Sequence, residues 1–173
     1  MKKLLVVVDY QNDFVDGALG FDGADKIEQN IVSLIEQFAS ENQEIVFTMD
    51  THFDDYMETV EGANLPVPHC IRGTKGWELR EKLIPYTKGR KVFEKQTFPS
   101  DQLGEYVREE KFDEIYLCGL VSDICVFSNA IVVKAFSSPK TKIKVVRNAT
   151  DSFDLNIQEK SFELLKHLHI EVI

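Results

Sequence analysis

The chain is poor in what membranes, secretion and nucleic acids require. Nowhere in its 173 residues is there an apolar run of the roughly 18 residues that a membrane-spanning helix needs. The apolar stretch near the start, Leu4 to Val8, meets Asp9 at once and is too short for a secretory signal. Cysteine is scarce. Cys70, Cys118 and Cys125 are odd in number and read as free thiols in a reducing compartment, so a cytoplasmic location is expected. Positive charge is scarce too. Lys and Arg total 20 against 29 Asp and Glu, a net of −9, and no basic stripe interrupts the acidic balance. Nucleic acid and anionic membrane are therefore not expected as partners.

What is present describes an ordinary globular protein. With 43% apolar and 28% charged residues, the chain is not disordered, and its length fits one domain spanning residues 1–173. It has no internal repeat, low-complexity segment or linker. Short, continuous apolar runs rich in β-branched residues recur at Leu4–Val8, Ile45–Met49, Lys91–Phe93, Ile115–Cys118, Ile143–Val146 and Ile170–Ile173. Continuous rather than alternating runs mark strands buried on both faces of a parallel sheet.

Helical spacing lies between these runs. Ile27, Ile31, Leu34, Ile35 and Phe38 share one helix face. Leu79 with Leu83, and Leu103 with Tyr106 and Val107, predict two shorter helices; Ile124 through Ala135 predicts a deeply packed one. Asn156 and Glu159 form a capping pair before Phe162, Leu165 and Leu168. Strand alternating with helix predicts an α/β, three-layer, doubly wound fold. The long irregular stretch Thr51 to Lys75 is expected to be functional.

In open α/β sheets, ligands bind beyond the carboxyl ends of the strands. The polar residues just past each predicted strand are Asp9, then Asp50 and His52, then Lys95, then Gly119 to Cys125, then Asn148 to Asp151. Gly119 breaks its strand and Ser122 is a good N-cap, which sets Cys125 in the first turn of the next helix. Free N–H groups and the helix dipole there favour thiolate and offer an oxyanion hole. Taken alone, Cys125 reads more readily as a small buried hydrophobe, Asp9 as a loop cap and Lys95 as a surface lysine. Together they gain meaning, because a carboxylate can take a thiol proton and an ammonium can hold that carboxylate. Asp50, His52 and His69 offer oxygen and imidazole donors of the kind that zinc or a similar divalent ion takes, with Glu58 and Glu61 in the same loop as further oxygen ligands.

The motifs in combination resemble a known family. Val8-Asp9-Tyr10-Gln11-Asn12-Asp13-Phe14, Phe93-Glu94-Lys95 and Cys118-Gly119-Leu120-Val121-Ser122-Asp123-Ile124-Cys125-Val126 resemble the motifs of the isochorismatase-like cysteine hydrolases, the superfamily that contains the nicotinamidases. Asp50-Thr51-His52 and His69-Cys70-Ile71-Arg72-Gly73-Thr74 with Gly76 are similar to nicotinamidase metal motifs. The resemblance implies a six-stranded, mainly parallel sheet and a catalytic triad of Asp9, Lys95 and Cys125. It implies a cis peptide at Leu120–Val121, with the Val121 and Cys125 amides as oxyanion hole. One divalent ion, zinc or else manganese or iron, is implied at Asp50, His52 and His69, with Glu61 at the position of a fourth ligand. Phe14 and Leu120 are expected to contact substrate. The chain departs from the nicotinamidase pattern at Leu65-Pro66-Val67-Pro68, where an aromatic residue usually precedes the second metal histidine.

The activity so implied is hydrolysis of a small amide, with nicotinamide in NAD salvage as leading substrate, by a homo-oligomer (dimer or tetramer). Rival readings are weaker. Hydrolysis of another small molecule, such as the vinyl ether of isochorismate, has no use for the thiol of Cys125. A receiver-type signalling module would need an aspartate ending strand 3, where Lys95 stands, and a binding-only member of the superfamily would not need an intact triad.

Overall fold

A computed structural model describes residues 1–173. Six parallel strands form one sheet in the order β3-β2-β1-β4-β5-β6. The strands are β1 (Lys3–Val8), β2 (Glu44–Asp50), β3 (Val92–Lys95), β4 (Glu114–Leu120), β5 (Lys142–Asp151) and β6 (Glu171–Val172). The helices are α1 (Asn12–Val15), α2 (Glu28–Ser40), α3 (Val60–Asn64), α4 (Ile84–Thr87), α5 (Asp101–Glu110), α6 (Phe127–Phe136) and α7 (Leu155–His167).

The apolar strand runs are continuous because the sheet is covered on both sides. In β1, Leu5 and Val7 join a core with Ile31, Ile35 and Phe38 of α2. Leu4, Val6 and Val8 face the opposite core, with Leu103 and Val107 of α5, Ala130 and Val133 of α6, and Phe162 and Leu165 of α7. This is the doubly wound, three-layer architecture expected from the sequence. Its strand order reverses between β1 and β4, so the chain leaves their carboxyl ends in opposite directions and opens a crevice there.

Several local expectations are corrected. Gly119 does not break its strand. It lies inside β4, paired with Val8, at φ +108. The sequence predicts β5 to stop at Val146, where polar residues begin, but it continues to Asp151. Between the Leu117–Val145 and Gly119–Thr150 pairs, β4 advances two residues and β5 five, so the polar segment is absorbed as a bulge. No helix spans Leu79 and Leu83: Leu79 bridges to Gln11, and α4 begins only at Ile84. The apolar stretch from Ile124 is divided into a π-turn, Ser122–Val126, followed by α6. Ser122 does not cap it; its Oγ accepts from Gln158 Nε2 at 3.0 Å. α7 is capped by Asp154, whose Oδ1 accepts from the amides of Asn156 and Ile157, both at 3.0 Å, so the Asn156–Glu159 pair is not the cap. The stretch Thr51 to Lys75 holds a 3₁₀ turn (Tyr56–Glu58) and α3.

The approach of β4 to β1 depends on Gly119. A Cβ there would lie 1.9 Å from the Val8 carbonyl oxygen, whereas one on Gly89, also at positive φ, would meet nothing within 4 Å. Gly89→Ala should cost only the left-handed backbone penalty, about 1–2 kcal/mol. Gly119→Ala adds a backbone clash and should cost at least about twice that, lowering Tm by roughly 6 °C or more. Equal Tm losses in the two variants would show that the contact with Val8 does not constrain the strand pair.

Candidate active site

The strand ends set the site. Asp9 follows β1 at φ +44 and is fully buried. Its amide donates to the Thr48 carbonyl at 3.2 Å, and Thr48 Oγ1 donates to Asp9 Oδ1 at 2.6 Å. Asp50 and Lys95 are the last residues of β2 and β3 and stand opposite each other in register. Cys125 comes from the π-turn after β4.

These four side chains meet at one ammonium. Lys95 Nζ lies 2.6 Å from Asp9 Oδ2, 3.3 Å from Asp50 Oδ1 and 3.7 Å from Cys125 Sγ. All four residues are buried. Burial disfavours the Lys95 cation, but Asp9, Cys125 and Asp50 outweigh it and hold its proton well above the usual lysine range. Burial also opposes ionisation of Asp50, yet Lys95, His52 and His69 overcome it and keep this carboxyl far below its ordinary value. Asp9 moves the other way: burial raises it, opposed by Lys95. Burial likewise lifts the Cys125 thiol well above its usual value, Lys95 pulls against it, and Asp9 adds to the rise. Burial and Asp9 thus push the Cys125 thiol in the direction opposite to that expected from a helix N-terminus.

The other thiols differ in access. Burial raises both Cys70 and Cys118. The Cys118 thiol points back to the Val6 carbonyl at 3.7 Å. Of the three cysteines, Cys125 lines the cavity described below.

Asp50 joins this group to a second one. Its Oδ2 is 2.9 Å from His52 Nε2 and 3.4 Å from His69 Nε2, and Glu61 Oε1 is 3.4 Å from His69 Nε2 and 3.7 Å from His52 Nε2. One donor atom from each of Asp50, His52, Glu61 and His69 falls within 4.8 Å of the others. Two imidazole nitrogens and two carboxylate oxygens at such separations fit a zinc-type ion. Burial would lower His69, but hydrogen bonds with Asp50 and Glu61 win and raise it to about 10, so the cluster favours positive charge. His69 Nδ1 is 2.8 Å from the Val67 carbonyl, which turns Nε2 toward the carboxylates. Glu58 is exposed and outside the cluster, because the Thr59 cap starting α3 turns Glu61 inward instead.

A cavity of about 370 Å³ opens above both groups. Phe14, Val121 and Cys125 line it, with Asp50, Glu61 and His69 on the metal-cluster side. The Leu120–Val121 peptide is cis. Leu120, expected to contact substrate, is fully buried in the core and does not line the cavity; its neighbour Val121 does. Asn148 to Asp151, expected beyond the strand, lie within β5; the residue after this strand that lines the cavity is Phe153.

Sequence reasoning missed the buried amides that hold these groups. Gln11 Nε2 donates to the carbonyls of Asp50 (2.8 Å) and Trp77 (2.7 Å), and its Oε1 accepts from the Asp50 amide at 2.8 Å. Asn129 Nδ2 donates to the carbonyls of Cys125 (2.8 Å) and Phe98 (3.1 Å), and its Oδ1 accepts from the Ser100 amide at 3.0 Å. Asn129 had a signal: a lone amide four residues past Cys125 on a mainly apolar helix. Tyr56, edge-on to His52 and His69 with centroids 4.8 and 5.2 Å away, had none beyond its place in the loop.

Comparison with known proteins agrees with this fold. The Isochorismatase domain family matches residues 3–173. An uncharacterised isochorismatase family protein of Bacillus subtilis is 36% identical over 144 residues, covering 76% of this chain and 78% of the relative. The crystal structure of a nicotinamidase/pyrazinamidase from Bacillus subtilis superposes with a TM-score of 0.88 at 32% identity, covering 99% of both chains. A Pyrococcus horikoshii pyrazinamidase in complex with zinc shares the fold at a TM-score of 0.84 and 24% identity, over 100% of this chain and 99% of that one. On the match along almost its whole length, this chain belongs to the isochorismatase family.

Proposed function

We propose that the chain is a cysteine amidohydrolase that cleaves a small aryl amide, with nicotinamide, giving nicotinate and ammonia, as the leading substrate. One observation carries the reading: a single buried ammonium within 3.7 Å of a thiol and both carboxylates, beneath an apolar cavity. A thiol held protonated needs a base at hand, and Asp9 is that base.

Asp9 takes the Cys125 proton as Sγ bonds to the amide carbonyl carbon. The Val121 and Cys125 amides receive the developing oxyanion. Asp9 returns the proton to the amide nitrogen, the C–N bond breaks and ammonia leaves a thioester on Cys125. Asp9 then takes a proton from water as the water oxygen attacks, and it passes that proton to Sγ as the C–S bond breaks, which leaves the carboxylic acid, the thiol and an ionised Asp9. Lys95 keeps Asp9 ionised enough to act and helps hold the leaving group. Asp50, His52, Glu61 and His69 would hold one divalent ion, with zinc ahead of manganese or iron. Held by these four residues, such an ion would supply a Lewis-acid contact for the ring nitrogen. The Bacillus subtilis structure named as a nicotinamidase/pyrazinamidase, 32% identical over 99% of this chain, supports the aryl-amide substrate. A cytoplasmic homo-oligomer, dimer or tetramer, working in NAD salvage completes the reading.

Ammonia release from nicotinamide and pyrazinamide tests it. Cys125→Ala should be inactive, and Asp9→Asn and Lys95→Met should each lose roughly 10²–10⁴ in kcat. The double variant should lose little more than either single one, because groups that act in one step are not additive. Near-wild-type activity in both single variants would mean that another group is the base.

The cluster makes a separate prediction. Zinc-reconstituted protein should hold up to one ion per chain by elemental analysis, with the ion lost in His52→Ala and His69→Ala but kept in Glu58→Ala. Retention in the two histidine variants, or loss in the Glu58 variant, would refute the ligand set.

A further inference from the structure

The cavity is larger and more apolar than a bare pyridine amide requires. Nine non-hydrogen atoms, each given no more than the roughly 30 Å³ of a liquid water, put nicotinamide below about 270 Å³. The cavity measures about 370 Å³. Even with roughly 30 Å³ set aside for an ion at the cluster, space remains for a small substituent, and the reaction geometry says where it lies.

On the aryl-amide reading, the carboxamide carbon must reach Cys125 Sγ and the ring nitrogen would face Asp50, Glu61 and His69. On a pyridine-3-carboxamide these two anchors flank the same ring carbon. The ring carbon opposite, position 5, therefore faces the remaining lining. That lining includes Phe21, Leu65, Phe98 and Phe153, with no polar side chain among them. Phe153 is 63% exposed and Phe98 41%, although both are aromatic. Phe21 and Phe153 meet edge-on with centroids 6.2 Å apart. Aromatic surface left open to solvent around one cavity favours an apolar occupant. No lysine or arginine lines the cavity, and its one cationic group, His69, is already paired with Asp50 and Glu61, so a carboxylate or phosphate on the substituent would be buried without a partner.

Resting on the aryl-amide reading, we propose that the preferred substrate is a neutral pyridine-3-carboxamide bearing a short apolar group at ring position 5, and that Phe21 and Phe153 form the subsite for that group. These two are specificity-determining residues: they touch the substituent and not the reacting atoms.

The test is kcat/KM for nicotinamide, 5-propylnicotinamide and 5-carboxynicotinamide with wild type, Phe21→Ala and Phe153→Ala. Each buried methylene is worth about fourfold. The propyl amide should exceed nicotinamide by roughly 10–50-fold, and the carboxy amide should fall about 100-fold or more below it. Phe153→Ala should cut the propyl-to-nicotinamide ratio by about fivefold, and Phe21→Ala should cut it as well. Two substrates are compared on one preparation, so loss of folded protein leaves the ratio unchanged. A wild-type ratio of one or less, or a ratio that neither phenylalanine variant moves, overturns the subsite while nicotinamide turnover keeps the amidase reading intact. Absence of turnover on every aryl amide overturns both.

Discussion

The site depends on burying one positive charge among groups that each need it. Lys95 Nζ is within 3.7 Å of Asp9, Asp50 and Cys125, and all four are nearly removed from water. A lone buried ammonium is very costly, and so is a lone buried carboxylate. Two carboxylates around one ammonium offset those costs, but they leave too little positive charge to ionise the thiol as well. The result is a division of labour. Asp50 is firmly ionised, Lys95 firmly protonated, and Asp9 and Cys125 are both pushed toward their protonated forms. A proton held between a raised carboxyl and a raised thiol is poised for transfer, as a base-assisted nucleophile requires.

The fold supplies this arrangement through register and the switch in strand order. Asp50 and Lys95 are paired at the ends of β2 and β3. Val8 pairs with Thr48 on one side and Gly119 on the other, so Asp9 emerges between the strand that carries Asp50 and the strand that leads to Cys125. Because Gly119 allows β4 to lie tightly against β1, the turn bearing the thiol begins close to the acid. Gln11 then locks Asp50 through both its amide and its carbonyl. Asp50 in turn links the ammonium to both histidines, so the triad and the cluster share one carboxylate.

Much of this was legible in the sequence, for definite reasons. Continuous β-branched runs identify buried parallel strands, and strand ends identify the rim, so Asp9, Asp50, Lys95 and Cys125 stood out by position. Other features were hidden because the deciding interactions are not local. The π-turn before α6 uses the same apolar residues that an α-helix would. Spacing treats Glu58 and Glu61 alike; the Thr59 cap separates them. Leu120 and Val121 are neighbours of similar polarity, yet one is core and the other lines the cavity. The extension of β5 through polar Arg147 and Asn148 follows from a bulge against β4, which only the partner strand reveals.

The claim that Lys95 and the metal cluster act on one shared carboxylate has a direct test in the zinc affinity of Lys95→Met, measured by competition with a chelating dye. Removing a cation 3.3 Å from Asp50 Oδ1 frees that carboxylate and relieves repulsion on an incoming divalent ion. The account predicts zinc binding tighter by about tenfold or more, even as catalysis is lost. Unchanged or weaker zinc binding in a folded Lys95→Met protein would contradict it, and would mean that the triad and the cluster are electrostatically independent.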